Sequence, residues 1–298
     1  MDVRVLRYFL AVCEEKNFTK AAQKLHIAQP SLSTQIKDLE NELGVDLFIR
    51  NHRKLALTEE GYFLKDRAQE IVALTDNTTS SLESRKVVSG TLAIGAGQTL
   101  AMRHIMKIID HILCAHPDVQ IRIIDANADD VEARVNNGTL DFGVVMGERP
   151  LDDFNTLVLP EKNQFVAIFN KNLSLEKKKT VTPADLSNYP IISSNQTLVS
   201  DKFKNWWGNN DVKNPVNCNL SFNSSLLAEQ GHMVQLTYAG LLDKGLDNNL
   251  VARPLEPEIF DPNIVIWKKN IKLSNLENLF LNELKKSLKG EHHEAGIN

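Results

Sequence analysis

At 298 residues the chain is too long for one ordinary core and calls for two or three domains. Its 42% hydrophobic and 24% charged residues exclude wholesale disorder and fibrous repeats, and no apolar run is long enough for a membrane span. The net charge of -4 is uneven: residues 1–58 hold nine Lys/Arg against seven Asp/Glu, and the remainder 25 against 31, so a mildly basic head precedes an acidic body. The first ten residues set Asp2, Arg4 and Arg7 among apolar positions, unlike an export signal. Cys13, Cys114 and Cys218 are odd in number and far apart. The expectation is a cytoplasmic protein with no membrane partner.

Leu6, Phe9, Leu10 and Cys13 recur at helical spacing and predict an amphipathic helix over about 3–15, with Asp2 as its cap. A short second helix is predicted from Phe18 to Leu25, where Ala21 and Ala22 permit close packing. Pro30 suits the first turn of a third helix, which runs to Leu43 with Gly44 as its stop. On that helix Leu32, Ile36, Leu39 and Leu43 fall on one side and form the expected buried stripe. The other side presents Pro30, Ser33, Thr34 and Lys37, with Gln29 and Ser31 at the N-terminal tip. These are small, hydrogen-bonding or cationic residues, which suit a helix entering a DNA major groove. A plain solvated face has a similar composition. Two short helices and a tight turn ahead of it favour the helix-turn-helix reading.

Leu47, Phe48 and Ile49 then lead into Arg50-Asn51-His52-Arg53-Lys54 and on to Leu55 and Leu57, a predicted hairpin wing. Arg50, Arg53 and Lys54 at its tip are candidates to lie along phosphates, each neutralised phosphate adding salt-dependent affinity.

The string Phe18-Thr19-x-Ala21-Ala22-x-x-Leu25-x-x-x-Gln29-Pro30-Ser31-Leu32-Ser33-x-Gln35-Ile36-x-x-Leu39-Glu40-x-x-Leu43-Gly44-x-x-Leu47-Phe48-x-Arg50, closing in Leu57-Thr58-x-x-Gly61, resembles the winged helix-turn-helix of LysR-type transcriptional regulators. The match covers nearly all of residues 1–61. One departure is Ala28, where many members of the family carry a capping Ser.

From Thr58, a candidate cap, the chain to about Lys86 lacks Pro and has no Gly after Gly61, with apolar residues at Leu64, Ala68, Ile71, Leu74 and Leu82. A helix of that length with so few apolar positions is expected to pair with its own copy, loosely where Thr75 to Ser81 dilute the seam. The resemblance implies that this linker builds a homodimer, or a homotetramer, that presents two recognition helices to a two-fold-related site on double-stranded DNA.

From Gly90 short strands alternate with helices. Thr91–Ile94, Val119–Ile124 and Leu140–Val145 read as strands, with helices at Ala101–Ala115 and Asp129–Asn136 between them. A second set reads as strands at Phe165–Phe169 and Ile191–Ile192, a helix holding Phe203, Trp206 and Trp207, a strand Val216–Phe222 and a helix near Ser224–Gln235. Strands at Val251–Pro254 and Ile264–Trp267 and a final helix through Leu276, Leu279, Phe280 and Leu284 complete it. The fold class is therefore α/β overall: an N-terminal winged helix-turn-helix (1–58), a long linker helix (59–89) and a C-terminal regulatory body (90–298). The resemblance implies that the body has two lobes, as in periplasmic binding proteins. Lobe one takes about 90–160 and 268–290 and lobe two about 164–266, with crossings near 160–164 and 266–270.

Open parallel sheets bind ligands beyond the carboxyl ends of their strands. Gly95-Ala96-Gly97-Gln98-Thr99 is the first such loop, and Gln98 and Thr99 are the first candidates; the resemblance adds that family members place a Ser or Thr there against the effector. The same loop fails as a dinucleotide fingerprint because its third glycine is Leu100. Gly147 and Glu148 follow another strand, Ser194, Asn195 and Gln196 follow a third, and Thr237 lies in a stretch that departs from the Gly-rich pattern of many relatives. Ordinary turn chemistry accounts for the same residues.

Cys114 and His116 are too few for a metal site, and no nucleophile with an arranged base is visible. No cofactor and no enzymatic activity are expected. An enzyme would need a convergent acid/base set, and a solute-binding protein an export signal in place of the head. The reading is a transcriptional regulator whose body binds a small-molecule effector, changing DNA bend and RNA polymerase recruitment.

Overall fold

The computed structural model describes residues 1–51, 54–83, 88–194, 201–219, 221–242 and 249–294. It divides into two units, Met1–Gly90 and Thr91–Asn298.

The first unit comprises α1 (Val3–Glu15), α2 (Phe18–Lys24), α3 (Gln29–Leu43), β1 (Phe48–Asn51), β2 (Lys54–Leu57) and α4 (Glu59–Glu83). The Asp2 side chain caps α1 by accepting the Arg4 amide at 2.7 Å, and Asn17 caps α2 by accepting the Lys20 amide at 3.0 Å. Leu6, Phe9, Val12, Ala21, Leu32 and Ile36 meet in one core, joined by Phe48 from the wing. β1 and β2 pair antiparallel, Phe48 opposite Leu57 and Asn51 opposite Lys54.

The buried stripe of α3 differs from expectation at its end. Leu43 is 38% exposed, whereas Glu40 is 3% exposed and sits among apolar neighbours. Its Oε1 accepts the backbone amides of Leu47 at 2.9 Å and Phe48 at 3.3 Å. Gly44, at φ 72°, reverses the chain out of α3 and brings these two amides under the helix, where they need an acceptor. A buried carboxylate supplies one, and Leu43 turns outward.

Thr58 caps α4 as expected, its Oγ1 accepting the Gly61 amide at 2.9 Å. A Cβ at Gly61 would lie 2.2 Å from the Leu47 carbonyl oxygen, so only glycine lets α4 start this close to the wing. The expected single apolar seam of α4 divides in two. Leu64 and Ala68 are buried in the head, while Leu74, with Tyr62 and Phe63, faces outward. Arg7 of α1 pairs with Asp76 further along α4. Leu82 lies outside the residues whose side chains are described.

The second unit comprises β3 (Gly90–Ala96), α5 (Met102–Ala115), β4 (Val119–Asp125), α6 (Ala128–Asn136), β5 (Phe142–Met146), β6 (Phe154–Asn170), α7 (Pro183–Leu186), β7 (Ile191–Ser193), α8 (Asp201–Trp207), β8 (Val216–Asn217), α9 (Ser221–Ala228), β9 (Val234–Tyr238), β10 (Leu250–Pro254), β11 (Phe260–Lys268) and α10 (Asn275–Glu294). Among the described residues these strands run in the order β4-β3-β5-β11-β6-β9-β7-β8, with β10 on β6. β3 and β5 are parallel, as are β7 with β8 and β7 with β9. Both long strands, β6 and β11, run antiparallel to each other and serve both halves.

One half of β6 pairs with β11 and the other with β9 and β10. The return strand already pairs with β5 from Asn263 to Ile266, ahead of the 266–270 expected for the crossing, and a register shift between Pro262 and Ile264 marks the change. Val131, Leu140, Val145 and Ile266 fill the first lobe, and the Phe280 ring of α10 packs tilted against Phe142 there, ring centres 4.8 Å apart. Phe165, Phe169, Phe203, Trp207 and Leu236 fill the second.

Two elements of lobe two differ from the sequence reading. The strand expected over 216–222 ends at Asn217, and Ser221 and Phe222 open α9. The helix expected over 224–235 stops at Ala228, because Gly231, at φ 94°, turns the chain, and Val234–Tyr238 is a strand. The alternation in Val-Gln-Leu-Thr-Tyr outweighs the helical spacing that precedes it.

In lobe one the Asp141 carboxylate accepts the Ala93 amide at 2.7 Å, tying β5's lead-in to β3. Burial pushes its pKa up to about 7, with Glu277 at the start of α10 adding to the rise.

Candidate functional site

Two places gather the expected residues. The first is the N-terminal half of α3. Gln29, Pro30, Ser31, Thr34 and Lys37 are exposed there, and Ser33 is half-buried, above a floor of Leu32, Ile36 and Leu39. Ala28 occupies the N-cap and makes no side-chain cap, and Pro30 lies in the first turn. The helix therefore starts with amides that no side chain of its own satisfies, a natural seat for a phosphate. The Thr34 hydroxyl donates to the Pro30 carbonyl at 3.0 Å, which restrains this exposed side chain against the helix. Lys37 Nζ is 3.9 Å from Glu40 and 3.7 Å from Asp46. Such long pairs on a half-exposed lysine are worth little and are readily exchanged. In the wing, Arg50 registers with Leu55 and Lys54 with Asn51. The side chains of Arg50 and Lys54, and all of Arg53, lie outside the described residues.

The second place is a cleft of about 480 Å³ in the body. It opens where β3, β4, β5, β7, β8 and β9 end, so each strand's exit loop contributes to its wall. Of the expected effector contacts, Gln98, Gly147, Glu148, Ser194 and Thr237 line this one cavity. Gly147 holds φ 84°, a left-handed conformation that turns the chain off β5. Asn195 and Gln196 lie outside the described residues.

Thr99 behaves differently from its neighbours. It is 7% exposed, and its hydroxyl approaches Asn163 at 2.5 Å and Asn263 at 3.2 Å, while Asn163 donates to Asn263 at 2.7 Å. These two asparagines sit on β6 and β11 where both strands pass between lobes. Thr99 thus bonds to the two strands that cross between the lobes and is not among the residues that line the cavity. Gln98 reaches across: its Oε1 accepts the Ser221 amide at the start of α9 at 2.9 Å.

Much of the far wall was not anticipated from sequence. Gln235 donates to the Ser221 carbonyl at 3.0 Å and hydroxyl at 2.9 Å. Tyr238 donates to Asp261 at 2.8 Å, and Lys202 donates to the other oxygen of Asp261 at 2.7 Å. Burial, with Asp261 alongside, raises the Tyr238 phenol well above its ordinary pKa, so it remains a proton donor. Arg149 is wedged against Asp129 and Glu132. Burial works against its charge, but the two carboxylates outweigh that and hold its pKa above the ordinary value. Thr237 was expected from sequence, Gln235 fell in a stretch read as helix, and Asp261 and Lys202 meet only through the fold.

Residues 3–62 match the model of the bacterial regulatory helix-turn-helix proteins of the lysR family, and residues 85–289 match the LysR substrate binding domain. The chain is 33% identical over 201 residues to a probable RuBisCO transcriptional regulator of Phaeodactylum tricornutum, covering 66% of each. It is 33% identical over 196 residues to the Hca operon transcriptional activator HcaR of Escherichia coli, covering 65% of each. The alignments thus span just under two thirds of these curated relatives. In fold it is similar to CbnR, a LysR family transcriptional regulator, with a TM-score of 0.70, 19% identity, and coverage of 97% of this chain and 99% of that one. With both family models matched, the second over more than half its length, the chain belongs to the LysR family of bacterial regulatory helix-turn-helix proteins.

Proposed function

We propose that this protein is a DNA-binding transcriptional regulator controlled by a small molecule held in the body's cleft. The observation that carries the reading is the exposed, uncapped N-terminal half of α3, rigid above Leu32, Ile36 and Leu39 and rich in hydrogen-bonding side chains. Gln29, Ser33 and Thr34 read base edges; Lys37, Arg50, Arg53 and Lys54 hold phosphates. In a homodimer or homotetramer two such helices meet an interrupted inverted repeat. The linker 59–89 joins the head, 1–58, to the body, 90–298.

A ligand between the lobes shifts their relation through the hinge at Asn163 and Asn263, and so changes the spacing of paired heads, the DNA bend and the access of RNA polymerase. Family membership supports this, as do the names of the relatives, which are regulators and not enzymes. Among the described residues no helix is long and apolar enough to cross a membrane, in keeping with work on DNA in the cytoplasm.

The test separates phosphate from base contacts. Lys37→Ala and Arg53→Ala should weaken binding on all sequences and lower the salt slope by about one each, whereas Gln29→Ala and Thr34→Ala should chiefly change sequence preference. Equal losses on cognate and random duplex for all four substitutions contradict the assignment.

A further inference from the structure

The charges that line the cleft carry information about what enters it. Arg149 and Lys202 are the basic side chains on the described wall, against Glu148, Asp201 and Asp261. Both cations are already paired with protein acceptors. Arg149 is pinned between Asp129 and Glu132 and is only 18% exposed, and Lys202 is held by Asp261 and by the Phe260 carbonyl, each at 2.7 Å. The wall thus sets Glu148, Asp201 and Asp261 against Arg149 and Lys202, with Asp201 also paired to Lys204 at 3.1 Å, and Asp129 and Glu132 behind Arg149 keep the balance negative.

The helix starts at the cleft, the usual alternative for holding an anion, carry acids or internal caps. α6 opens under its Asn127 cap with Asp129 and Asp130 in the first turn. α8 opens on Asp201. The Ser221 amide of α9 is bonded to Gln98. A carboxylate or phosphate entering here would meet net negative charge in a partly desolvated space, where like charges repel strongly. The rest of the lining is uncharged hydrogen-bonding chemistry from Ser193, Gln235, Thr237 and Tyr238, beside Phe165, Phe203 and the carboxylate of Asp261.

We propose that the cleft selects a ligand without net negative charge, a small hydroxyl- or amine-bearing molecule, over carboxylates and phosphates. This rests on the reading of the cleft as an effector site. Asp261 is the discriminating group: it accepts from hydroxyl or ammonium donors and keeps Lys202 from serving an anion.

A fragment set sorted into matched carboxylates, neutral alcohols or amides, and primary amines tests this, screened at millimolar concentration on the full chain by ligand-observed NMR. Cleft binding is defined as binding lost in Thr237→Trp, which fills the cavity. The neutral and amine members should bind at least tenfold more tightly than their carboxylate partners. Asp261→Asn, by releasing Lys202, should raise carboxylate affinity and narrow that gap, while Lys202→Met should widen it in favour of amines. Carboxylates leading on the unaltered chain, or an unchanged order in both variants, overturn the charge assignment while leaving the cleft a ligand site. An absence of cleft binders in every class overturns the effector-site reading and this inference with it.

Discussion

The face of α3 and the cleft of the body are built by opposite strategies. The first is one continuous helix whose functional side is fixed by three buried side chains directly beneath it. The second is assembled from the exit loops of six strands and held in register by contacts distant in sequence, such as Thr99 with Asn263 and Gln98 with Ser221. A site of the first kind is rigid and stands or falls with its small core. The second kind can change shape, because its walls are joined by a few hydrogen bonds near a hinge.

Substitutions that remove a support from one region while leaving the other intact sharpen this contrast. The largest effect is expected for Glu40→Ala, which strands the buried amides of Leu47 and Phe48; a loss of about 2–4 kcal/mol follows from two unsatisfied donors. Denaturant unfolding of the full chain should show the head's transition shifted and duplex binding lost, with Glu40→Gln much milder. A change in the body's transition instead would break the separation between the regions.

Thr99→Val leaves the hinge asparagines short of a donor and should destabilise the body by about 1–2 kcal/mol, with little effect on DNA affinity in the absence of ligand. Differential scanning calorimetry checks the first part and fluorescence anisotropy the second.

Asp141 supplies a pH test of the body alone. Its folded pKa, about 7, lies above the unfolded value, so the native state holds the proton longer. Its contribution to stability is fully present below the unfolded pKa and is lost as pH rises through about 7. The body should therefore melt lower at pH about 8 than at pH about 5, and Asp141→Asn should remove that drop and be the more stable chain at the higher pH, by about 1 kcal/mol or more. The smallest effect, about 0.5–1.5 kcal/mol, is expected for Gln98→Ala, which removes one bond across the cleft; its signature is altered ligand affinity with unaltered sequence preference on DNA.

How much of each region was legible follows from the same contrast. Apolar spacing located α1, α2 and α3, and the outward positions of α3 followed from the inward ones. The error there, Leu43 for Glu40, arose because a backbone need outside the helix decided which side chain is buried, and periodicity does not register that need. In the body, strand-exit loops pointed to Gln98, Gly147, Glu148 and Ser194, since the end of a strand is visible locally, while Thr237 came from the departure of its stretch from the Gly-rich pattern of relatives. Thr99 was assigned to the cavity because it lies in the same strand-exit loop as Gln98 and because the resemblance places a Ser or Thr there, but its hydroxyl is satisfied by asparagines more than sixty residues away. The ion pair between Lys202 and Asp261 has no local signature, and the strand carrying Gln235 and Tyr238 was hidden by the helical spacing before Gly231.

The central claim is that residues 29–37 read DNA and that the cleft does not. Selection of bound duplexes from a random pool by the full chain addresses it directly, run in parallel with Gln29→Ala, Thr34→Ala and Gln98→Ala. The unaltered chain and Gln98→Ala should enrich the same interrupted inverted repeat, and the two α3 variants should enrich altered half-sites or none. No enrichment by the unaltered chain, or one identical motif from all four, would contradict it.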